Sequence, residues 1–295
     1  MVANEIAPLL VIVGETASGK SQLAFQAATQ FNGEIISADS WTIRRDLNIG
    51  TAKPTITEQA QIRHHLIDII DVEEDFSAAI FKGLANEAIK SIAKKGKLPI
   101  LVGGTGLYID SVLFDFSFQS PPVNKEQREY LNSLNVNDLL KLIESRNHSL
   151  DGIDIRNKRR LIRLIETGGS VPNKQPLRDN TVVIGLDIPR DILKTRINER
   201  IESMIRAGLQ DEVGNIVKRY GWDIEGLKGI GYSQWRSFYM GQSSLEETKL
   251  RIQRDTIELA KRQRTWFRRN KSIHWMSTPV NWTTFVDFVT PLLYK

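Results

Sequence analysis

The 295-residue chain has no cysteine, which excludes disulfides, thiolate metal sites and a cysteine nucleophile. Histidine is scarce. His64 and His65 are adjacent, while His148 and His274 stand apart, so a histidine-built zinc site is not expected. No apolar run approaches the ~18–20 residues of a membrane span. The opening stretch MVANEIAPLLVIV contains an acid and no basic leader, so neither a signal peptide nor a membrane partner is expected and a cytoplasmic protein is. Excess charge is modest as well, 40 Lys+Arg against 35 Asp+Glu for a net +5.

What charge there is comes in blocks. Residues 156–163 (RNKRRLIR) carry five positive charges and no negative one, and residues 261–271 (KRQRTWFRRNK) carry six and none. Such blocks either solvate helix faces or meet an anionic partner, most commonly nucleic acid. Otherwise the composition, 41% apolar and 25% charged, is that of an ordinary globular chain and excludes a largely disordered one. At this length about three quarters of the unfolded surface can be buried.

The hydrophobic pattern predicts an α/β fold. PLLVIV (8–13) and LPILV (98–102) are short unbroken apolar runs ending in glycine, as strands buried on both faces read. Strands are also predicted over 34–37, 181–187 and 272–275, and helices over 20–30, 77–95, 105–114, 190–206, 209–220 and 245–269. Alternation of this kind implies a parallel sheet with helices on both faces. Residues 124–167 carry only helical signals, bounded by Pro121-Pro122 and by Gly168-Gly169 and Pro172. The expected organisation is a core of 1–120 and 180–295 with a helical insertion at 121–179.

Gly14-Glu15-Thr16-Ala17-Ser18-Gly19-Lys20-Ser21 fits G-x-x-x-x-G-K-[ST] between a buried strand and a helix. The glycines let the backbone wrap a phosphate chain, and the helix N-terminus supplies amides and a favourable dipole. Lys20 adds a point charge, and the Ser21 hydroxyl is the group that usually meets Mg²⁺. The motif specifies a polyphosphate rather than a reaction. In a nucleoside triphosphatase an apolar strand ending in an acid is expected next, yet residues 98–102 end in Gly103-Gly104-Thr105-Gly106. The strand that does lead to an acid is 34–37, reaching Asp39 and Ser40. Asp39 is thus a Mg²⁺ ligand, a catalytic base facing the loop, or the cap of a turn.

At this point the chain resembles the bacterial tRNA dimethylallyltransferases. The matching segments are GETASGKS (14–21), ISADS (36–40), NIGTAKP (48–54), HHLIDI (64–69), LVGGTGLYI (101–109), RRLIRLIE (159–166), AGLQDEV (207–213), GIGY (229–232) and AKRQRTWFRR (260–269). They follow the family's order over nearly the whole chain. The resemblance implies a P-loop NTPase-like parallel sheet flanked by helices, with a helical insertion that binds tRNA. It implies transfer of a dimethylallyl group from dimethylallyl diphosphate to N6 of the adenine 3′-adjacent to the anticodon, with release of diphosphate. The loop Gly14–Ser21, with Lys20 and Mg²⁺ on Ser21, would hold the diphosphate and stabilise the leaving group. Asp39 matches the family's base, suited to an exocyclic amine whose lone pair is delocalised. Thr105 matches a residue at the target nucleotide or leaving group; a helix N-cap explains it equally well.

The resemblance also implies contacts to the tRNA anticodon stem-loop. They fall on Asp39, Ser40, Trp41 and Thr42; on Thr105 and Arg128; on Arg159, Arg160, Leu161, Ile162 and Arg163; on Lys228, Gly231 and Tyr232; and on Lys261, Arg262, Gln263 and Arg268. Trp266 is either a base-stacking platform or core, core being favoured. Trp41 and Arg44 depart from the family pattern after SADS and bear on contacts beside Asp39. Glu258 replaces an uncharged residue four before Arg262, the spacing of a helical ion pair. A monomer with a compact insertion is expected. The competing readings are a phosphate-loop small-molecule kinase or nucleotide hydrolase, which leaves the basic blocks unexplained, and a non-catalytic RNA-binding protein, which leaves Lys20, Ser21 and Asp39 unexplained.

Overall fold

Leu9–Gly14 (β1) is buried along its whole length, with a parallel strand paired on each side. The structure, a computed structural model, describes residues 6–118 and 124–293. After β1 come α1 (Lys20–Gln30), β2 (Gly33–Ser37), α2 (Ile56–Gln61), β3 (His64–His65), α3 (Ala78–Lys94), β4 (Leu98–Gly103) and α4 (Gly106–Leu113). Three helices follow, α5 (Lys125–Ser133), α6 (Val136–Ser145) and α7 (Lys158–Glu166). The chain then returns to strand with β5 (Thr181–Asp187) and continues through α8 (Arg190–Arg206), α9 (Leu209–Tyr220), α10 (Trp235–Tyr239), α11 (Leu245–Phe267), β6 (His274–Ser277) and α12 (Trp282–Leu293). Every predicted strand and helix is present within a residue or two. The pattern missed α2, β3, α10 and α12.

The six strands form one sheet in the order β3-β2-β4-β1-β5-β6, and every pair is parallel. Register is tight at the centre, Leu10 lying opposite Ile100 on one side and Val182 on the other. Chain connections after β1 lead towards β2, and those after β4 lead past β1 to β5. Strand order therefore reverses beside β1, and open parallel sheets bind ligands at the carboxyl ends of strands at such a point. One apolar cluster joins Leu10, Ile12, Ile100 and Ile184 to Leu23 and Ala27 of α1 and to Phe285 and Val289 of α12. Another joins Leu193, Ile197, Ile201 and Met204 of α8 to Val213, Trp235 and Ile252.

The chain divides into two compact units, residues 1–113 with 177–295, and Phe114–Pro176. The sequence placed the insertion at 121–179. In the structure the second unit starts seven residues earlier, because the Gln175 N–H bonds to the Phe114 carbonyl and Ser117 bridges Asn173. The Pro121-Pro122 break lies outside the described residues. Within this unit Leu131, Leu139, Ile143, Leu161, Ile162, Leu164 and Ile165 form a core of their own. Asn124, Asn135 and Asn157 cap its three helices by accepting from first-turn N–H groups.

Candidate active site

The phosphate loop lies at the carboxyl end of β1. Gly19 closes it at φ 96°, a left-handed conformation that suits glycine. The first bond of α1 runs from Leu23 N–H to the Gly19 carbonyl at 3.1 Å, so the preceding amides of the first turn have no intrahelical partner. Lys20 is half-buried, and its Nζ donates to the Glu15 carbonyl at 3.0 Å. Burial pushes its ammonium down to about 8, with the Asp39 carboxylate acting against that and the Arg200 guanidinium adding to it. Ser21, in the first turn of α1, is exposed.

Asp39 stands two residues beyond the end of β2. Its Oδ1 accepts from the N–H groups of Trp41 at 2.8 Å and Thr42 at 3.3 Å. It therefore caps a turn, with one oxygen only; Asp39 also lines a cavity of about 90 Å³. Thr105 takes the backbone place of a helix cap, its carbonyl accepting from Tyr108 and Ile109. Its hydroxyl reaches elsewhere, accepting from Ser40 N–H at 3.2 Å. This ties the loop after β4 to the loop after β2. The same approach explains Gly103, where a Cβ would collide with the Ala38 carbonyl.

The cavity beside Asp39 has two characters. Thr16, Asp39, Thr51 and Arg200 give it a polar end; Ile197, Ile201, Met204, Ile230, Ile252 and Leu259 give it an apolar wall, with Trp41 beside them. Two arginines from α8, which the sequence did not single out, reach this region, Arg200 at the polar end of the cavity and Arg196 on the phosphate loop. Arg196 donates to the Ser18 carbonyl and Arg200 to the Thr51 carbonyl, each at 3.2 Å. They lie four apart on a helix, on a stripe adjoining that of Leu193, Ile197 and Ile201, and that spacing was the available signal. Burial lowers the Arg200 guanidinium, against the pull of Asp39.

Three of the matching segments meet through Glu212, also missed. Its carboxylate accepts from Asn48 at 3.1 Å, Ile49 at 2.8 Å and Gly50 at 3.1 Å, and from the Tyr232 hydroxyl at 2.7 Å. Tyr232 is 1% exposed, and burial with Glu212 raises its phenol. Its side chain is tied through Glu212 to the 48–50 loop. Gly231 likewise donates to Gln234 and accepts from the Trp235 indole. Lys53 is buried on the Arg44 carbonyl at 2.8 Å and on Asp68. Arg44 faces the 71–74 loop, donating to Val72 at 3.1 Å and Glu74 at 2.7 Å. That departure therefore supports a loop, whereas Trp41 does line the cavity.

Other residues expected at RNA make contacts within the protein. The Thr42 hydroxyl is buried against that of Ser37, 2.9 Å away. Gln263 bridges two loops, accepting from Thr16 N–H at 2.7 Å and donating to the Gly104 carbonyl at 3.1 Å. Arg268 pairs with Asp187 at 2.8 Å, as Arg264 does at 3.0 Å, and stacks over Trp275. Trp266 donates to Asp110 at 2.9 Å, in keeping with a packing role. Glu258 pairs with Lys261 at 4.0 Å rather than with Arg262. In the second unit Arg128 forks onto Glu166, which Arg163 also meets at 3.5 Å. Leu161 and Ile162 are core. Arg159, Lys261, Arg262 and Lys228 are exposed and Arg160 is half-buried, with Lys228 paired to Glu225 at 2.6 Å.

Residues 42–270 match the family model for IPP transferase. The chain belongs to the IPP transferase family. It is 42% identical over 275 residues to the tRNA dimethylallyltransferase of Roseiflexus sp. (strain RS-1), covering 89% of this chain and 90% of that protein. It is 37% identical over 294 residues to that of Bacillus subtilis (strain 168), covering 94% of each. Its fold matches the tRNA isopentenylpyrophosphate transferase of Bacillus halodurans with a TM-score of 0.76 at 36% identity, covering 98% and 97% of the two chains. Membership sets the small-molecule kinase reading aside and makes the chain an enzyme of prenyl transfer. No helix among the described residues is long and apolar enough to cross a membrane.

Proposed function

We propose that this enzyme transfers a dimethylallyl group from dimethylallyl diphosphate to the N6 amine of the adenine 3′-adjacent to the anticodon of a tRNA, releasing diphosphate. The observation that carries this reading is the cavity where the phosphate loop, Asp39 and Arg200 meet an apolar wall. A diphosphate suits the loop amides, Lys20, Arg196 and Arg200, and a short hydrocarbon suits the isoleucines. The amine nitrogen attacks C1 of the allyl group, the C1–O bond breaks with its electron pair leaving on diphosphate, and the amine proton passes to Asp39. Lys20, Arg196 and Arg200 stabilise the charge that accumulates on the leaving group. Preorganised donors of this kind are commonly worth about 3–4 kcal/mol each.

Mg²⁺ fits the donor set. No cluster of three His, Cys, Asp or Glu that could cage a metal exists among the described residues, while Ser21 offers an exposed hydroxyl in the first turn of α1. Mg²⁺ characteristically takes few protein ligands and completes its shell with substrate phosphates and water. Bound there, it would supply further charge stabilisation to the diphosphate.

The tRNA contacts we propose are the exposed cations Lys261, Arg262, Lys228 and Arg159 and the half-buried Arg160. Incubation with labelled dimethylallyl diphosphate and unmodified tRNA tests the reading. Label is expected in RNA at N6 of adenine; tRNA binding without transfer would overturn it.

A further inference from the structure

The phosphate loop contains a charge that the reaction above does not use. Glu15 lies between Gly14 and Thr16 and is 3% exposed, yet neither carboxylate oxygen has a hydrogen-bond partner. Its nearest cation is Arg190 of α8, 3.9 Å from Oε1. The other charged groups that act on it are committed elsewhere. Arg264 of α11 is bonded to Asp187 at the end of β5, and Lys20 of α1 is bonded to the Glu15 carbonyl. Asp187 itself opposes the Glu15 charge. An ionised carboxylate buried without donors is costly. Burial accordingly pushes the Glu15 carboxyl upward, with Arg190, Arg264 and Lys20 restraining it and Asp187 adding to it.

We propose that Glu15 is a proton-linked positioning residue, whose carboxylate takes a proton from solvent when a diphosphate enters the loop and returns it when the anion leaves. This rests on the diphosphate reading above. The physical basis is like-charge repulsion. An anion of two or more charges held by the same loop disfavours a second ionised group beside it, so the neutral acid gains. Linkage makes the effect reciprocal: diphosphate affinity falls as pH rises through the range where Glu15 ionises. A deprotonated Glu15 thereby favours release of the leaving diphosphate, and a protonated one favours retention of the donor. A glutamine of the same shape has no such coupling.

The test measures protons exchanged when inorganic pyrophosphate and Mg²⁺ bind. Calorimetry between pH 5.5 and 7, in two buffers of different ionisation enthalpy, gives that number. The range lies below the value of about 8 to which Lys20 is lowered, and the ligand's own titration is common to all proteins compared. The wild type should take up more protons per pyrophosphate than Glu15→Gln, and its affinity should fall more steeply with pH, by up to about tenfold per pH unit. Glu15→Ala should behave as Glu15→Gln, and Glu15→Asp, which keeps a carboxyl, should recover part of the difference. Equal proton counts in wild type and Glu15→Gln would overturn the inference and leave the diphosphate reading standing. Failure of the wild type to bind pyrophosphate would overturn the diphosphate reading and this inference with it.

Discussion

Asp39 both caps a turn through Oδ1 and lines a cavity, and this shapes the mutation that probes it. Alanine would remove the acceptor for Trp41 and Thr42 as well as the base. Asparagine keeps an acceptor for the turn and loses the ability to take a proton, together with the negative charge that acts on Lys20 and Arg200. Asp39→Asn should therefore melt with the wild type and lose about 10²–10⁴ in single-turnover rate, the usual worth of general base catalysis. A near-wild-type rate would remove Asp39 from that role. Lys20 gives a pH signature. Burial brings its ammonium down to about 8, so the charge is present below that pH and lost above it. KM for the donor should then climb between pH 7 and 9.5; a flat profile would show that Lys20 does not meet the diphosphate. Ser21→Ala should resemble removal of Mg²⁺ by chelation, with transfer lost and tRNA binding kept. A mutant still fully responsive to Mg²⁺ would place the ion elsewhere.

At the scale of elements, α11 carries one of the basic blocks, but its charges have different duties. Arg264 and the exposed Arg268 pair with Asp187, while Lys261 and Arg262 do not. Plots of log tRNA affinity against log salt should separate them. Lys261→Ala and Arg262→Ala should each shallow the slope by about 0.7 if the contact is to single-stranded phosphate. Arg268→Ala should leave the slope unchanged, since its guanidinium is already paired. Unchanged slopes for all three would put the RNA surface on other residues. The block itself was legible because six cations without an acid stand out in any chain. Their division was not, because orientation depends on Asp187, which reaches this helix only through the sheet. The phosphate loop was legible because its residues are contiguous and its chemistry is backbone geometry. Arg196, Arg200 and Glu212 were not, since each acts on a loop more than 140 residues away in sequence. β3 is two residues long and too short for a period. The helix α2 buries nothing, and only the Thr55–Glu58 capping box announces it.

For the whole molecule, the strand ends opposite the cavity carry a different kind of charge. Glu34 of β2 is 3% exposed and meets His65 at 2.7 Å, Lys97 at 3.0 Å and Lys95 at 3.2 Å. Burial alone would raise its carboxyl, but hydrogen bonds from His65, Lys97 and Lys95 outweigh that and hold it down to about 2. A folded-state value below the unfolded one gives stability that is present above about pH 4.5 and lost as pH falls towards 2. The full effect is about 3 kcal/mol. Glu34→Gln should lower the melting temperature at pH 7 and flatten the acid limb of a stability–pH curve; parallel limbs would show that the cluster contributes no linkage. The proposed transfer forms one N–C bond. It is tested most directly by incubating the enzyme with Mg²⁺, unmodified tRNA and dimethylallyl diphosphate labelled in the allyl group, followed by nucleoside analysis of the RNA. The expected result is label on N6 of the adenine 3′-adjacent to the anticodon, reduced to background by Asp39→Asn. Contradiction would be unlabelled RNA under conditions where the same protein binds both tRNA and donor.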